Sequence, residues 1–166
     1  MAEVLDGNTF RRAMGLFATG VTVITTEVNH EIHAMTANAF SSVSLHPPLI
    51  LVCLNRGTKM ERHLQHSARF AVNFLADDQE RLSRHFAGGQ GNDRAPDFSF
   101  STFAGTPRLD GTLATVACAV HRVLDGGDHV IVLGQVQDIV IDESEPGPLL
   151  FWKGKYHNLD KPVAHM

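Results

Sequence analysis

The chain has 166 residues, of which 43% are hydrophobic and 19% charged, and its formal net charge is -4. This length is typical of one domain, so we expect a single domain over residues 1–166. The slight acidic excess gives no electrostatic reason to expect nucleic acid or an anionic membrane as a partner. The acidic start does not resemble a secretory signal, and no apolar run approaches the roughly 20 residues of a membrane span, so we expect a cytoplasmic protein.

The first part of the chain predicts an amphipathic helix followed by strands. Phe10, Met14 and Phe17 recur at helical spacing after Asn8, a good N-cap residue, and Gly20 is expected to end the helix. The β-branched runs on either side of "EVNHE" predict two strands joined by a hairpin-like turn. The segment "PPLILVCL" is apolar after its prolines, which predicts a strand buried on both faces.

The middle of the chain predicts two more helices and a loop. Met60 and Leu64 share one face of the first helix, and the strand "RFAVNFL" follows it. The second helix covers "ADDQERLSRHFAG", where Asp77 or Asp78 is expected to cap the start and Gly88 to stop the end. Residues 88–111 are glycine-rich and lack hydrophobic periodicity, so a long loop is predicted there.

The last third of the chain predicts a long hairpin and a final strand. "DGGD" is a strong turn signal between "TLATVACAVHRVL" and "HVIVLGQVQDIVID", and "PLLFWKGKYHNL" predicts a short strand with a glycine break. Strands joined by such short turns favour an antiparallel arrangement over a doubly wound parallel sheet. We therefore expect a mainly β fold, a small closed antiparallel barrel with helices around it.

The two cysteines and the histidine pairs have structural interpretations. Cys53 and Cys118 each lie in an apolar run, where a reduced, buried thiol is ordinary, so neither a disulfide nor a thiol nucleophile is expected. His30 with His33, and His63 with His66, show the H-x-x-H spacing that can hold a metal ion. Neither pair has a convincing third ligand nearby in sequence, so we interpret them as exposed polar side chains and expect no metal site.

The connection "HAMTANAFSSVSLHPPL" between two apolar runs is unusually rich in neutral hydrogen-bonding groups. They come from Thr36, Asn38, Ser41, Ser42 and Ser44. Such a set between two rigid strands suits a flat heteroaromatic ring whose edge carries carbonyl and N–H groups. A solvated turn explains the same residues equally well.

A possible phosphate site follows the next predicted strand. Asn55, Thr58 and Lys59 stand just beyond "LILVCL", and Thr58 can cap the helix that begins there. The free N–H groups of that helix start, together with Lys59, favour a phosphate. A ring and a phosphate at neighbouring strand ends would describe a mononucleotide, and a plain turn with an N-cap is the alternative.

Two further residues, His129 and Tyr156, do not indicate a particular function on their own. His129 follows Gly127 and Asp128 at the start of a predicted strand, where turn residues are common. Tyr156 is the only tyrosine, and an aromatic side chain late in a chain usually covers the core. The run "GGQG" lacks the glycine spacing of a Rossmann dinucleotide site.

Taken in order, "FRRAMGLFATGVTVITT", "MTANAFSSVSLHPPLILVCLN", "FAVNFLADDQERLSRHFAG", "GDHVIVLGQV" and "PLLFWKGKYHNL" resemble one family along nearly the whole chain. It is the short-chain flavin reductase family with the FMN-binding split barrel fold, the reductase components of two-component flavin monooxygenases. The resemblance implies a homodimer of split β-barrels that binds FMN or FAD near the subunit interface. It also implies that NADH or NADPH reduces the flavin, which then leaves for a flavin-dependent monooxygenase.

The resemblance also assigns site residues by position. It implies that the isoalloxazine ring, the ribityl chain and the phosphate are bound in turn along one path, and that two residues stand beside the nicotinamide. For the ring and the ribityl side the residues are Thr36, Ala37, Asn38, Ser41, Ser42, Cys53, Leu54 and Asn55; for the phosphate, Thr58 and Lys59. Arg84, His85 and Phe86 match a segment that approaches the flavin, and His129, the implied catalytic residue, and Tyr156 match the nicotinamide positions.

Two departures from the family pattern bear on flavin affinity. Ala39 stands where a serine is frequent, and Gly57 precedes Thr58 where another hydroxyl is common, so each removes one possible hydrogen bond. Two other functions stay open at this point. One is a flavin-binding electron carrier or storage protein without a productive nicotinamide site, and the other is a related reductase whose final acceptor is a corrinoid or a ferric chelate.

Overall fold

The computed structural model describes residues 5–89, 94–144 and 146–159. Its helices are α1 (Gly7–Met14), α2 (Lys59–His66) and α3 (Glu80–Phe86). Its strands are β1 (Thr19–Gly20), β2 (Thr22–Val28), β3 (Glu31–Ala37), β4 (Phe40–Leu45), β5 (Pro48–Asn55), β6 (Arg69–Phe74), β7 (Phe100–Phe103), β8 (Thr106–Leu109), β9 (Ala114–Gly126), β10 (His129–Ile141), β11 (Leu149–Trp152) and β12 (Lys155–Asn158).

The main sheet has seven strands in the order β3-β2-β6-β9-β10-β5-β4, and every neighbouring pair is antiparallel. If the sheet were flat, its six inter-strand spacings would put the two edge strands about 29 Å apart. Yet β3 and β4 are joined by two residues only, Asn38 and Ala39, whose connection spans at most about 11 Å. The sheet must therefore curl until its edges meet, which makes a barrel.

The barrel is split between β3 and β4. The antiparallel, mainly β expectation is confirmed, but within the described residues no ladder joins these two edges, so the expected closed barrel is wrong. One hydrogen bond near the seam, from Cys53 N to Ala39 O (3.0 Å), ties the connection to β5. The split barrel implied by the family resemblance fits this arrangement.

The barrel interior is filled by alternate residues of the strands. Along β5, Ile50, Val52 and Leu54 are buried, whereas Leu51 and Cys53 between them are only half-buried. The expectation that this strand is buried on both faces is therefore wrong, because a barrel strand turns one face inward and this chain does not cover the other. The same interior cluster includes Ile24, Met60, Leu64, Phe70, Val72, Val116, Cys118, Val130 and Val132.

A second cluster lies outside the barrel, where α3 and two hairpins pack on the sheet. Its buried members are Val21, Val23, Leu75, Leu109 and Leu149. One of these hairpins, β7 with β8, falls in the stretch predicted to be a loop. Its strands have four residues each, too few for hydrophobic periodicity to reveal.

A three-stranded sheet connects the early part of the described chain to its late part. Thr19 and Gly20 of β1 pair with Phe151 and Leu150 of β11, and β11 pairs with β12. Lys153 N donates to Gly15 O (3.0 Å) and Trp152 Nε1 donates to Leu16 O (3.1 Å). The segment after α1 is therefore held by the last hairpin.

The helix ends differ in part from expectation. Thr58 caps α2 as predicted, and Gly88, with φ of 82°, follows α3 as predicted. Asp6, not Asn8, caps α1, which ends at Met14. At the start of α3 neither aspartate caps the helix: Gln79 occupies the N-cap position, and its side-chain amide instead bonds Ala76 N (2.8 Å) and Gly111 O (2.9 Å).

Helix α1 has no buried residue. Phe10, Met14 and Phe17, the predicted apolar face, are 51%, 55% and 76% exposed. An amphipathic helix normally buries its apolar side, but none of the described residues of this chain buries that side of α1. Among the described helices, none has both the length and the apolar character needed to cross a bilayer.

Candidate functional site

Four of the predicted site residues lie on one face of three neighbouring strands. Asn55 of β5 is paired with His129 of β10, and Ser41 of β4 with Leu51 of β5. Residues opposite one another, and residues two apart on a strand, share a face of the sheet. Ser41, Cys53, Asn55 and His129 therefore stand together on the outer face of the barrel, where these side chains are half-buried or exposed.

Ser42 and Leu54 point the other way. Ser42 pairs with Ile50, next to a register shift before Ser44, so it lies on the opposite face of β4 from Ser41. The Leu54 side chain is fully buried in the barrel. A ligand on the outer face can therefore meet Leu54 only through its backbone.

A second group of predicted residues meets at α3. The Thr36 hydroxyl donates to Ser83 O (2.7 Å), and the Ser83 hydroxyl shares a hydrogen bond with the Tyr156 hydroxyl (2.8 Å). The Arg84 guanidinium lies over the Tyr156 ring, 4.8 Å from its centre, and its Nη2 is 2.7 Å from the Glu80 carboxylate. The Tyr156 side chain is therefore held at its hydroxyl by Ser83 and over its ring face by Arg84.

Sequence reasoning missed Ser83. It is fully buried, and it sits inside the segment "SRHF" directly before three residues that were singled out. Its two partners are 47 and 73 positions away in the sequence, so no local pattern identifies them. The only available signal was a serine on the apolar side of an amphipathic helix next to Leu82, a position that usually needs a hydrogen-bond partner.

Asn38 lies between the two groups. Its side-chain Nδ2 donates to the Thr19 hydroxyl (3.3 Å), which ties the connection between β3 and β4 to β1. Ala37 packs against the barrel interior, and Phe86 packs against the outer cluster. These two side chains belong to the packing beneath the candidate site and have no polar group to offer.

The expected phosphate site at α2 contains a carboxylate. Thr58 Oγ1 accepts from Glu61 N (3.2 Å) and donates to Asn55 O (2.9 Å), so α2 is linked to the end of β5. The buried Glu61 carboxylate accepts from Gly57 N (3.1 Å), completing a cap made by two side chains. Its negative charge opposes an anion here, which makes the positive charge of Lys59 more important than the helix start itself.

The end of α3 borders a basic cavity. Arg84 and His85 line it with Arg81, Arg94 and Tyr156, and its volume is about 870 Å³. Behind it, the rings of His85 and Phe86 pack with Phe98 and Phe100. This aromatic packing fixes the position of the helix end.

His129 is oriented by its neighbour Asp128. His129 Nδ1 is 2.7 Å from Asp128 Oδ1, and this hydrogen bond, together with the charge of the imidazole, holds the pKa of Asp128 below its ordinary value. An ionised carboxylate only accepts, so Nδ1 carries the proton and Nε2 is left for a ligand. Among the described residues, no hydrogen bond, ion pair or ring contact joins His129 to Tyr156, so the two expected nicotinamide residues belong to different groups.

The surroundings of the cysteines and histidines show whether they can act as nucleophiles or metal ligands. Burial raises the pKa of the Cys118 thiol to about 12 and also raises the pKa of Cys53, so neither is an activated nucleophile. The His33 and His63 rings stack with their centres 3.8 Å apart. Within the described ranges, no cluster of three or more side chains of the metal-ligating types is present.

Comparison with known proteins identifies the family. The profile described as "Flavin reductase like domain" matches residues 14–160. This chain belongs to the flavin reductase like family. The structure "Flavin reductase PheA2 in native state" superposes on this flavin reductase like chain with a TM-score of 0.89 at 47% identity, covering 95% of this chain and all of that one.

Two more similar proteins have names that mention bound ligands or a monooxygenase. "NADH:FAD oxidoreductase SgcE6 in complex with NAD and FAD fragments" from Streptomyces globisporus C-1027 superposes with a TM-score of 0.84 at 36% identity, covering 99% of this chain and all of that one. "Flavin-dependent monooxygenase, reductase subunit HsaB" from Mycobacterium tuberculosis is 34% identical over 161 residues, covering 96% of this chain and 86% of that protein. Both alignments run nearly end to end, so this flavin reductase like chain is similar to them as a whole.

Proposed function

We propose that this chain is an NAD(P)H:flavin oxidoreductase that reduces FMN or FAD and supplies the reduced flavin to a partner monooxygenase. The observation that carries this is the outer face of β4, β5 and β10. There the polar side chains of Ser41, Asn55 and His129 stand around an apolar surface that includes Leu51 and Cys53, and this face is left partly exposed by the described chain. A chain of this family with a partly exposed apolar face bordered by hydrogen-bonding groups has the groups needed to bind a flavin.

The donors present fit a flavin in kind. Its ring needs neutral donors and acceptors at one edge, and the Asn38 amide and the Ser41 hydroxyl supply both. Its phosphate needs a cation, which Lys59 supplies. We propose that the flavin lies along Thr36, Ala37, Asn38, Ser41, Cys53, Asn55, Thr58 and Lys59 and meets Ser42 and Leu54 through their backbone. Arg84, His85 and Phe86 are then at its border, and His129 and Tyr156 stand beside the nicotinamide.

The protein contributes mainly by orientation. Bound flavin supplies the hydride acceptor for a reduced nicotinamide. His129 presents Nε2 to the site, because Asp128 holds its Nδ1 proton, so it can orient the nicotinamide or balance charge there. Tyr156, fixed by Ser83 and Arg84, supplies a rigid wall on the other side.

A homodimer would complete surfaces that the single chain leaves open. Leu45, Ile139 and Ile141 are 75%, 51% and 64% exposed at the ends of β4 and β10, and the apolar face of α1 is also exposed. Exposed apolar residues this numerous are typical of an interface, and their burial contributes about 25 cal/mol per Å². We propose that a second copy covers the outer face and so encloses the flavin between subunits.

Three further parts of the proposal concern the chain as a whole. We propose that residues 1–166 form a single flavin reductase like domain and that the protein acts in the cytoplasm. The family relationship to the reductase subunit of a flavin-dependent monooxygenase supports a monooxygenase as the recipient of the reduced flavin.

The proposal is tested by mixing the protein anaerobically with NADH or NADPH and with FMN or FAD in a stopped-flow instrument. We expect the flavin absorbance to bleach in at least one of the four combinations, at a rate that saturates with the nicotinamide. Tight retention of flavin through gel filtration without any bleaching would instead identify an electron carrier. Light scattering on the same sample should give twice the chain mass of 18.2 kDa, and a monomer would contradict the proposed dimer.

A further inference from the structure

Ser83 joins Thr36, which is proposed to contact the flavin, to Tyr156, which is proposed to stand beside the nicotinamide. The Ser83 carbonyl accepts two hydrogen bonds, from Ala87 N (3.0 Å) just past the end of α3 and from the Thr36 hydroxyl (2.7 Å) of β3. Its own hydroxyl pairs with the Tyr156 hydroxyl (2.8 Å) of β12. Ser83 is fully buried, so a ligand cannot reach its side chain.

These bonds set what Thr36 and Tyr156 offer a ligand. Because the Thr36 proton is directed at Ser83 O, the hydroxyl oxygen of Thr36 faces the site as an acceptor only. The Tyr156 ring is fixed at its hydroxyl by Ser83, while the Arg84 guanidinium lies 4.8 Å over its face. One residue of α3 therefore fixes a group on the β3 side and a group on the β12 side relative to each other.

We infer that Ser83 is a positioning residue that sets the spacing between the flavin and the nicotinamide through Thr36 and Tyr156. This inference rests on the proposed function. Hydride transfer is efficient only when the reacting atoms lie about 3 to 3.5 Å apart, so a small shift of either wall lowers the rate. The fully satisfied, buried bonds of Ser83 make it a rigid support for both walls.

The test uses Ser83→Ala, which removes the hydroxyl but keeps the carbonyl that Thr36 contacts. We expect kcat/KM for the nicotinamide to fall about fivefold to tenfold, the effect of one lost hydrogen bond, while the flavin dissociation constant changes by less than twofold. Tyr156→Phe should give a similar loss, and the double variant should lose no more than either single one. Additive losses, or an equal loss of flavin affinity, would overturn the inference.

A second readout does not depend on activity. Tyr156 is the only tyrosine, so the tyrosine ring doublet in the ultraviolet Raman spectrum of the ligand-free protein reports its hydrogen bond alone. We expect the doublet ratio to change in Ser83→Ala and to stay as in the wild type in Ser101→Ala, a control serine bonded to Asp110 instead. An unchanged doublet would overturn the inference, as would loss of folding in Ser83→Ala combined with full activity in Tyr156→Phe. A wild-type protein that never bleaches flavin would overturn the proposed function, and the inference with it.

Discussion

Gly134 and Phe70 approach each other so closely that no side chain fits between them. A Cβ atom on Gly134 would stand 2.6 Å from Phe70 Cζ and 3.0 Å from Cys118 Cβ. Phe70 and Cys118 are fully buried in the barrel interior, and the register of β9 and β10 shifts between Leu133 and Gly134. The glycine makes room for the aromatic ring at this irregularity.

Gly134→Ala should therefore destabilise the fold. Overpacking a well-packed core costs about 1 to 3 kcal/mol, because Phe70 cannot move without disturbing its neighbours. Urea unfolding followed by circular dichroism measures the free energy of unfolding. Gly7→Ala is the control, since nothing lies within 4 Å of its added methyl group; a change as large in this variant would argue against the packing explanation.

Asn73 should be essential to stability without touching any ligand. Its Nδ2 donates to Val23 O and Thr25 Oγ1, both at 3.0 Å, and its Oδ1 accepts from Leu109 N (3.0 Å) and Thr115 Oγ1 (2.9 Å). This fully buried amide thus joins β2, β6, β8 and β9.

Asn73→Ala leaves those four buried groups without their partner. We expect a loss of about 2 to 4 kcal/mol, since each unsatisfied buried polar group costs about 1 to 3 kcal/mol and some regain water or other partners. Thermal and urea unfolding measure it, and Asn8→Ala, at an exposed position of α1, is the matched control. A loss below 1 kcal/mol would show that the neighbouring groups find other partners.

His129→Ala should affect the nicotinamide step and spare flavin binding. We expect a lower turnover number or a higher KM for NAD(P)H, with the flavin dissociation constant within about twofold of the wild type, because the imidazole orients and does not hold the flavin. Asp128→Asn is the companion variant, since it removes the carboxylate that fixes the Nδ1 proton but keeps the ring. Lost flavin binding in His129→Ala would show that the residue has been assigned to the wrong ligand.

The stacked histidines predict a pH effect on stability. Burial first, and then the nearby charge of His33, lower the pKa of His63 below 6.5; the cations Arg62 and Lys59 act in the same direction, and Glu31 opposes them. As pH falls through 6.5, His63 therefore takes up a proton in the unfolded chain before it does so in the folded chain. The stability that neutral His63 contributes is full above pH 6.5 and is lost as pH falls toward the pKa of the folded chain. An NMR titration of the His63 ring measures that pKa directly.

His33→Gln should move the His63 pKa upward, because one of its causes is removed. His30→Gln is the control, since the His30 side chain is fully exposed and lies outside the stack. An unchanged titration in His33→Gln would mean that burial and the cations Arg62 and Lys59 lower the pKa without His33.

Much of the fold follows from local patterns. Neighbouring residues determine most of the strands, the hairpin at Gly127 and the cap at Thr58, so the sequence predicts these features. The split in the barrel and the one-sided burial of β5 depend on how distant strands meet, and no local pattern encodes that. The same reason hides the hairpin of β7 and β8, whose short strands are defined by packing on the outer cluster.

The candidate site divides in the same way. Thr36, Asn38 and Ser41 stand out locally because a connection between apolar strands rarely carries so many hydroxyl and amide groups. Arg84, His129 and Tyr156 gain meaning only from family resemblance. Ser83 and Asn73 have partners tens of residues away, so their roles become visible only once the chain is folded.

The pairing of β1 with β11 has a consequence for synthesis on the ribosome. Residues 19–20 pair with residues 150–151, and the carbonyl oxygens of Gly15 and Leu16 accept hydrogen bonds from Lys153 and Trp152. While the chain emerges, residues 15–20 must therefore wait for these bonds until residues 150–153 have been translated. The hairpin of β11 and β12 that supplies them also brings Tyr156 to α3, so this side of the site is completed only after β12 has left the exit tunnel.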